Sequence, residues 1–389
     1  MECAISDEAY QDRILPYVSR TFALTIPQLP PALRTAVTNA YLLCRIADTI
    51  EDEPALSAAE TLAFLQQFKA VVAGTGEPAL LASELERRLS ERTLPEERDL
   101  VRHMDRVIRI TARLDAVPRA AIQRCVALMC YGMPHFQRNA SLQGLPFASD
   151  LDDYCYYVAG VVGEMLTELF CDYSPDVAQR RRALHDLAAS FAQGLQMTNI
   201  LKDVWEDRSR GACWLPQEVF SRHGVDLGQL SAAQQDARFS AGMRELIGVA
   251  HAHLRDALKF TLLIPSKETG IRRFCLWAIG LAILTLRKIV LNPGFTAGTQ
   301  VKVTRSAVAA TRVLTNVAVR SDWMLKSLFA LAARGVPLAP PTTMRGVRSL
   351  ATHEASAIAE HGRHTGRAQL DADASLQRAL RSSDGSSAS

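Results

Sequence analysis

The acidic signature Asp-x-x-Glu-Asp occurs twice, as Asp48-Thr49-Ile50-Glu51-Asp52 and Asp203-Val204-Trp205-Glu206-Asp207, each time at the end of an apolar stretch with helical spacing. On a helix, positions i, i+3 and i+4 share one face, so each copy gathers three carboxylates there. Like charges so placed repel, and no lysine on the next turn neutralises them. A fold that buries the apolar stretches must leave both acidic faces against water or a cation. A single acidic run on a helix is ordinarily solvated surface; the surroundings of these two argue for a cavity instead.

Leu33, Val37, Tyr41 and Cys44 follow one helix face, and the next steps of that stripe are Asp48 and Asp52. Arg45 lies within a turn of both Tyr41 and Asp48, a spacing that suits a phosphate contact and an ordinary helix salt bridge to Asp48 equally. In the second copy, Gln193, Gln196, Asn199, Asp203 and Asp207 recur every three or four residues through the apolar stretch Leu184 to Val204. A polar stripe inside a buried helix needs partners, and its aspartates favour a hydrated cation over a closed core network. Hard carboxylate oxygens suit Mg²⁺, which takes few carboxylates and completes its shell with water and phosphate oxygens. Two facing clusters, with Asp48, Glu51, Asp52, Asp203 and Asp207 as ligands, would hold a diphosphate between them.

Ten segments carry helical periodicity, at about 31–53, 58–73, 80–91, 95–115, 118–138, 150–172, 177–208, 231–262, 270–291 and 303–334, and none sustains strand alternation. Punctuation such as Pro30-Pro31, Pro54, Pro175 and Asn292-Pro293-Gly294 falls between them. The expected fold is all-α, one large helical domain over residues 1–335, followed by a Pro-containing linker and polar, flexible tail over 336–389. With 44 Lys+Arg against 41 Asp+Glu and no dense basic run, nucleic-acid binding has little support. The eight cysteines form no Cys-x-x-Cys pair and read as buried thiols of a reducing compartment. Met1 to Asp12 lacks the apolar core of a secretory signal, so a cytoplasmic protein is expected. The most apolar stretch, Phe274 to Leu286, is shorter than the roughly 20 residues of a membrane span and reads as a core helix with at most one membrane-touching face.

Between the acidic motifs, Tyr154-Cys155-Tyr156-Tyr157-Val158-Ala159-Gly160-Val161-Val162-Gly163 brings three tyrosines together with two glycines that permit close helix approach or leave room beside an apolar ligand. With Ser19-Arg20-Thr21-Phe22, Tyr41 to Asp52, Gln196 to Asp203 with Glu206-Asp207, and Val301-Lys302-Val303-Thr304-Arg305, it makes five islands. Through these the chain resembles the squalene synthases, within the squalene and phytoene synthase family of head-to-head isoprenyl transferases. The resemblance implies an isoprenoid synthase fold around a deep apolar cavity with the acidic motifs at its mouth. It implies condensation of two farnesyl diphosphates to presqualene diphosphate, then reduction by NADPH to squalene. Tyr154 matches the tyrosine that assists the first ionisation and takes up the proton released as the cyclopropane closes. Tyr41, Arg45 and Asn199 match positions lining the diphosphate site, with Ser19, Arg20, Gln196 and Phe274 about the substrate. Lys302 and Arg305 match basic residues that meet the nicotinamide cofactor, for which the chain has no Gly-x-Gly-x-x-Gly signature.

The sequence also departs from its relatives. Many carry Arg-Gly-Arg before an aromatic-Leu-Pro turn where this chain reads Arg210-Gly211-Ala212-Cys213-Trp214-Leu215-Pro216, so that either Arg208 or Arg210 replaces the missing phosphate contact or the diphosphate is handled differently. Leu276-Trp277 replaces a proline and a glutamine of the eukaryotic type. A relative that stops at presqualene diphosphate, or makes dehydrosqualene or phytoene without a reductant, is the nearest alternative. Chain-elongating prenyl transferases and terpene cyclases fit less well, since Thr49 stands where the former carry a second aspartate. An inactive helical scaffold is disfavoured by the four retained aspartates. Any membrane contact is expected to be peripheral.

Overall fold

Where a helix begins is set by local chemistry. Pro31 opens the Pro31–Glu51 helix with its φ already helical. Ser57 and Glu60 form a reciprocal capping box for Ala58–Ala73, and Thr304 and Ser321 accept backbone N–H groups at the starts of Arg305–Ala318 and Asp322–Ala332. The computed structural model describes residues 5–19, 21–232 and 235–339; Arg20 and the expected tail beyond 339 lie outside the described residues. Among the described residues there are helices and no strand, only an isolated bridge between Leu145 and Pro216. All seven described cysteines are free and buried, as expected for core thiols.

The Arg181–Lys202 helix lies at the centre, packed on Ala237–Leu263, Val161–Tyr173 and Thr269–Leu291. Its first half contributes Leu184, Ala188 and Phe191 to a core shared with Leu43, Phe68, Phe170 and Phe274. Its second half contributes Met197, Ile200 and Leu201 to a core shared with Trp205, Phe220, Phe239 and Leu286. Thr269–Leu291 is long and apolar enough to cross a membrane, yet it supplies buried residues to both cores. That is the core helix the sequence predicts.

Several expected segments are interrupted. The 95–115 stretch breaks at His103, and 303–334 breaks between Ala318 and Asp322. The 150–172 segment contains a π turn over Tyr156–Gly160 between the Ala148–Cys155 and Val161–Tyr173 helices. The long helix of the 177–208 segment stops at Lys202, and Asp203 (φ −98°, ψ 15°) joins it to the short Val204–Ser209 helix, so the second motif straddles a break rather than riding one continuous helix. Packing also runs past the expected boundary at 335: Val336 is buried, Ala339 N–H donates to the Gly248 carbonyl (3.1 Å), and His251 Nδ1 lies 2.8 Å from the Pro337 carbonyl oxygen.

Gly163 is where the tyrosine segment meets the central helix. A Cβ there would fall inside contact distance of the Ala188 carbonyl oxygen, which belongs to backbone and cannot swing aside. Gly163→Ala is expected to destabilise the protein by about 1–3 kcal/mol through overpacking. Gly294→Ala, where a Cβ meets nothing within 4 Å, should change stability by less than about 0.5 kcal/mol. Urea unfolding monitored by circular dichroism measures both.

Candidate active site

A cavity of ≈ 560 Å³ runs between the Pro31–Glu51 helix, the tyrosine segment and the central helix, within the range of about 300–1,000 Å³ that suits small ligands. Its polar mouth carries Ser19, Tyr41, Arg45, Asp48, Glu51, Asp52, Gln196, Asn199, Lys202 and Asp203; its floor is made by Val158, Val162, Leu166, Phe191 and Phe274. A second, more polar cavity of ≈ 520 Å³ shares Arg45, Glu51 and Asp52 with the first and adds Asp207, Arg92, Arg210, Glu97 and Trp214. The carboxylates thus form the wall between two cavities. Gln193 does not face either one: its amide donates to the Asp152 carbonyl (3.0 Å), so that member of the polar stripe belongs to the core.

Burial dominates the electrostatics. It pushes the Asp48 carboxyl from its ordinary 3.8 to about 7, against the pull of Arg45 and with the push of Asp52. Asp207 rises to about 6 by burial despite its bond from Arg210 (2.6 Å). Asp52 is raised by burial against the pull of Arg210 and Arg45, and Glu51 rises well above its ordinary value through burial and then Asp52 and Asp48. Glu51 Oε1 is buried with no hydrogen-bond partner. Contrary to the expectation of unneutralised clusters, Lys202 Nζ pairs with Asp203 (2.9 Å), Arg210 with Asp207, and Arg45 bridges Asp48 (3.8 Å) and Glu97. Among the described residues no group of three acidic, histidine or cysteine side chains is assembled to enclose a metal.

The aromatic residues hold the middle of the site. Tyr154 is buried, stacks on Trp214 with ring centroids 4.2 Å apart and meets the edge of Phe136 at 5.4 Å. Burial, then Glu51 and Asp52, raise its hydroxyl well above the ordinary value, so it stays protonated. Tyr41 donates to the Val18 carbonyl (2.8 Å), and burial raises it to about 12. Tyr157 packs over Gly132, and Tyr156 bonds Glu164 (3.1 Å); both lie outside the lining of the cavity. The π turn over Tyr156–Gly160 separates these directions by adding a residue to the turn.

The structure resolves which arginine follows the second motif. Arg208 donates to the carbonyls of Leu142 and Leu230 and ties the loop together, whereas Arg210 lies at Asp207 on the wall of the second cavity. Neither Lys302 nor Arg305 lines the first cavity, and both are exposed. The loop before them is nonetheless fixed to the second motif: Gly298 N–H donates to Glu206 Oε1 (2.8 Å), and a Cβ on Gly298 would sit 2.7 Å from Asp203 Oδ1. Sequence reading missed Glu97 and Gly298, whose partners lie far along the chain, and the stacking role of Trp214.

The squalene/phytoene synthase family model matches residues 15–307, which include both acidic motifs, the tyrosine segment and Lys302. The chain belongs to the squalene/phytoene synthase family. Among family relatives, the squalene synthase of Gibberella zeae is 29% identical over 286 residues, covering 72% of this chain and 58% of that protein; the chain spans less than two thirds of that relative. The fold agrees with solved structures at lower identity. TcSQS with the ligand E5700 is 23% identical, with TM-score 0.66 over 84% of this chain and 91% of that one. A dehydrosqualene synthase is 22% identical, with TM-score 0.58 over 82% and 97%. The squalene/phytoene synthase fold here is all-α, as the sequence predicts.

A carboxyl raised on folding costs the native state nothing below about pH 4, where it is protonated both folded and unfolded. The penalty grows toward about pH 7, where Asp48 ionises in the folded protein. In EDTA, Asp48→Asn should therefore raise the melting temperature at pH 8 and leave it nearly unchanged at pH 4. Scanning calorimetry at the two pH values checks this, and an equal shift at both would contradict it.

Proposed function

We propose that this chain is a squalene synthase, a farnesyl-diphosphate farnesyltransferase that joins two farnesyl diphosphates head to head into presqualene diphosphate and reduces it with NADPH to squalene. The observation that carries this reading is one cavity continuous from Arg45, Asp48, Glu51, Asp52 and Asp203 to the floor at Leu166, Phe191 and Phe274. A prenyl diphosphate has the same two ends, one densely anionic and one hydrocarbon. The adjoining polar cavity, with Arg92 and Arg210, suits a second or departing diphosphate.

Mg²⁺ fits the donor set. The carboxylates are hard oxygen ligands and Glu51 Oε1 is buried without a partner, a donor set that suits an ion sharing its shell with phosphate and water. Asp48, Glu51, Asp52, Asp203 and Asp207 would hold it. When bound, Mg²⁺ offsets the charge appearing on the leaving diphosphate.

The chain's own residues supply the rest. Arg45, held by Asp48 and Glu97, presents its guanidinium to diphosphate oxygens at the mouth. Ser19, Gln196 and Asn199 orient the same group by hydrogen bonds. Tyr154, kept protonated, donates to the departing diphosphate and relays the proton freed at cyclopropane closure onto a phosphate oxygen. Its ring face, backed by Trp214, stabilises the passing allylic cation. The floor from Val158 to Phe274 excludes water that would quench that cation.

The reductive half rests on Lys302 and Arg305, which would hold the phosphates of NADPH beside the second motif; NADPH when bound supplies the hydride. Their absence from the cavity lining favours a second reading, in which the enzyme releases presqualene diphosphate, dehydrosqualene or phytoene without reduction. Purified protein given farnesyl diphosphate and Mg²⁺ should release diphosphate, and NADPH should shift the lipid product to squalene by mass spectrometry. Dehydrosqualene or presqualene diphosphate alone in the presence of NADPH would establish the second reading. Asp48→Asn and Asp203→Asn should each slow diphosphate release by at least about 100-fold while circular dichroism is unchanged.

A further inference from the structure

The Arg305–Ala318 and Asp322–Ala332 helices present a face that the prenyl chemistry does not use, and all but its first residues lie beyond the family match, which ends at 307. On the first helix only Thr315 and Ala318 are buried, while Val313, Leu314 and Val317 are exposed, Val317 to 70%. Just past the turn, Trp323 is 75% exposed, and Leu331 stands out further along. Between the helices runs a groove of ≈ 290 Å³ bordered by Ile279, Ile283, Leu314, Leu328 and Leu331, with Arg287 its one charged residue. Exposed apolar side chains gathered on two neighbouring helices beside an apolar groove mark a docking site.

Charge selects the partner. From Thr269 to Ser321 the sequence contains no acidic residue. Arg312, Arg320 and Lys326 are exposed around the face, and the nearby acid Asp322 is bonded to Arg272 (2.8 Å). A second copy of the chain would set one basic rim against another, whereas an anionic surface removes that repulsion.

We propose that this face docks on an anionic phospholipid bilayer. Val313, Val317 and Trp323 enter the headgroup and acyl boundary, the groove takes one acyl chain, and Arg287, Arg320 and Lys326 meet lipid phosphates. The inference is independent of the prenyl diphosphate reading, since the two use different residues.

Full-length protein should co-sediment with phosphatidylcholine vesicles containing phosphatidylglycerol and much less with phosphatidylcholine alone, and salt should weaken the binding. Trp205, Trp214 and Trp277 are buried, so Trp323 is the exposed indole whose emission should shift to the blue on binding. Val317→Glu and Trp323→Ser should each weaken vesicle binding by about tenfold or more, and Arg320→Glu/Lys326→Glu should remove the preference for the anionic lipid. Circular dichroism of all variants should match the parent. The proposal is overturned if the parent binds neither vesicle, or if the variants bind as well as it does. It is also overturned if iodide cannot quench Trp323 before vesicles are added, which would mean another part of the chain covers the face. Loss of a dimer in sedimentation on Val317→Glu would overturn it too, assigning the face to a second copy.

Discussion

The crowding of carboxylates onto the wall of two cavities is the constraint from which the rest of the site follows. Asp48, Glu51, Asp52 and Asp207 all resist ionisation, and burial is the first cause in each case. The surrounding protein moderates the repulsion with Arg45, Lys202 and Arg210 but leaves an oxygen of Glu51 without a partner. A packed core has no reason to keep such an arrangement. The same groups become favourable once positive charge enters between them, which ties stability and ligand binding to one set of side chains.

Beside these acids the tyrosine segment packs directly on the central helix. Gly163 lets the tyrosine segment press on the Ala188 carbonyl, and either side of the start of the π turn Tyr154 and Tyr157 both pack on Phe136. Trp214 then closes on Tyr154 from the opposite side, carried there by the loop that Arg208 pins to two backbone carbonyls. Apolar packing therefore reaches to within one ring of the charged mouth.

The helices were largely legible because their apolar stripes are long and regular, and the residues of the cavity mouth because Tyr41, Arg45, Asp48 and Asp52 continue one stripe. Interruptions were not. The π turn and the stop at Asp203 are made by backbone hydrogen bonds that periodicity does not register. Gln193 fits the polar stripe as well as Gln196 does, yet a carbonyl 41 positions away captures it. Arg210 three residues after Asp207 was readable from spacing; Glu97 beside Arg45 was not, since 52 positions separate them. Lys302 and Arg305 show the opposite limit, a motif matched along the chain but set apart from the cavity lining in space.

The bond between Gly298 and Glu206 has a mechanical consequence. The loop that leads to Lys302 is tied to the second motif through one carboxylate, and Gly298 places no side chain of its own between its backbone and Asp203. Glu206 thereby joins the acidic end of the site to the loop that carries Lys302, so a single side chain is shared by two segments 92 positions apart.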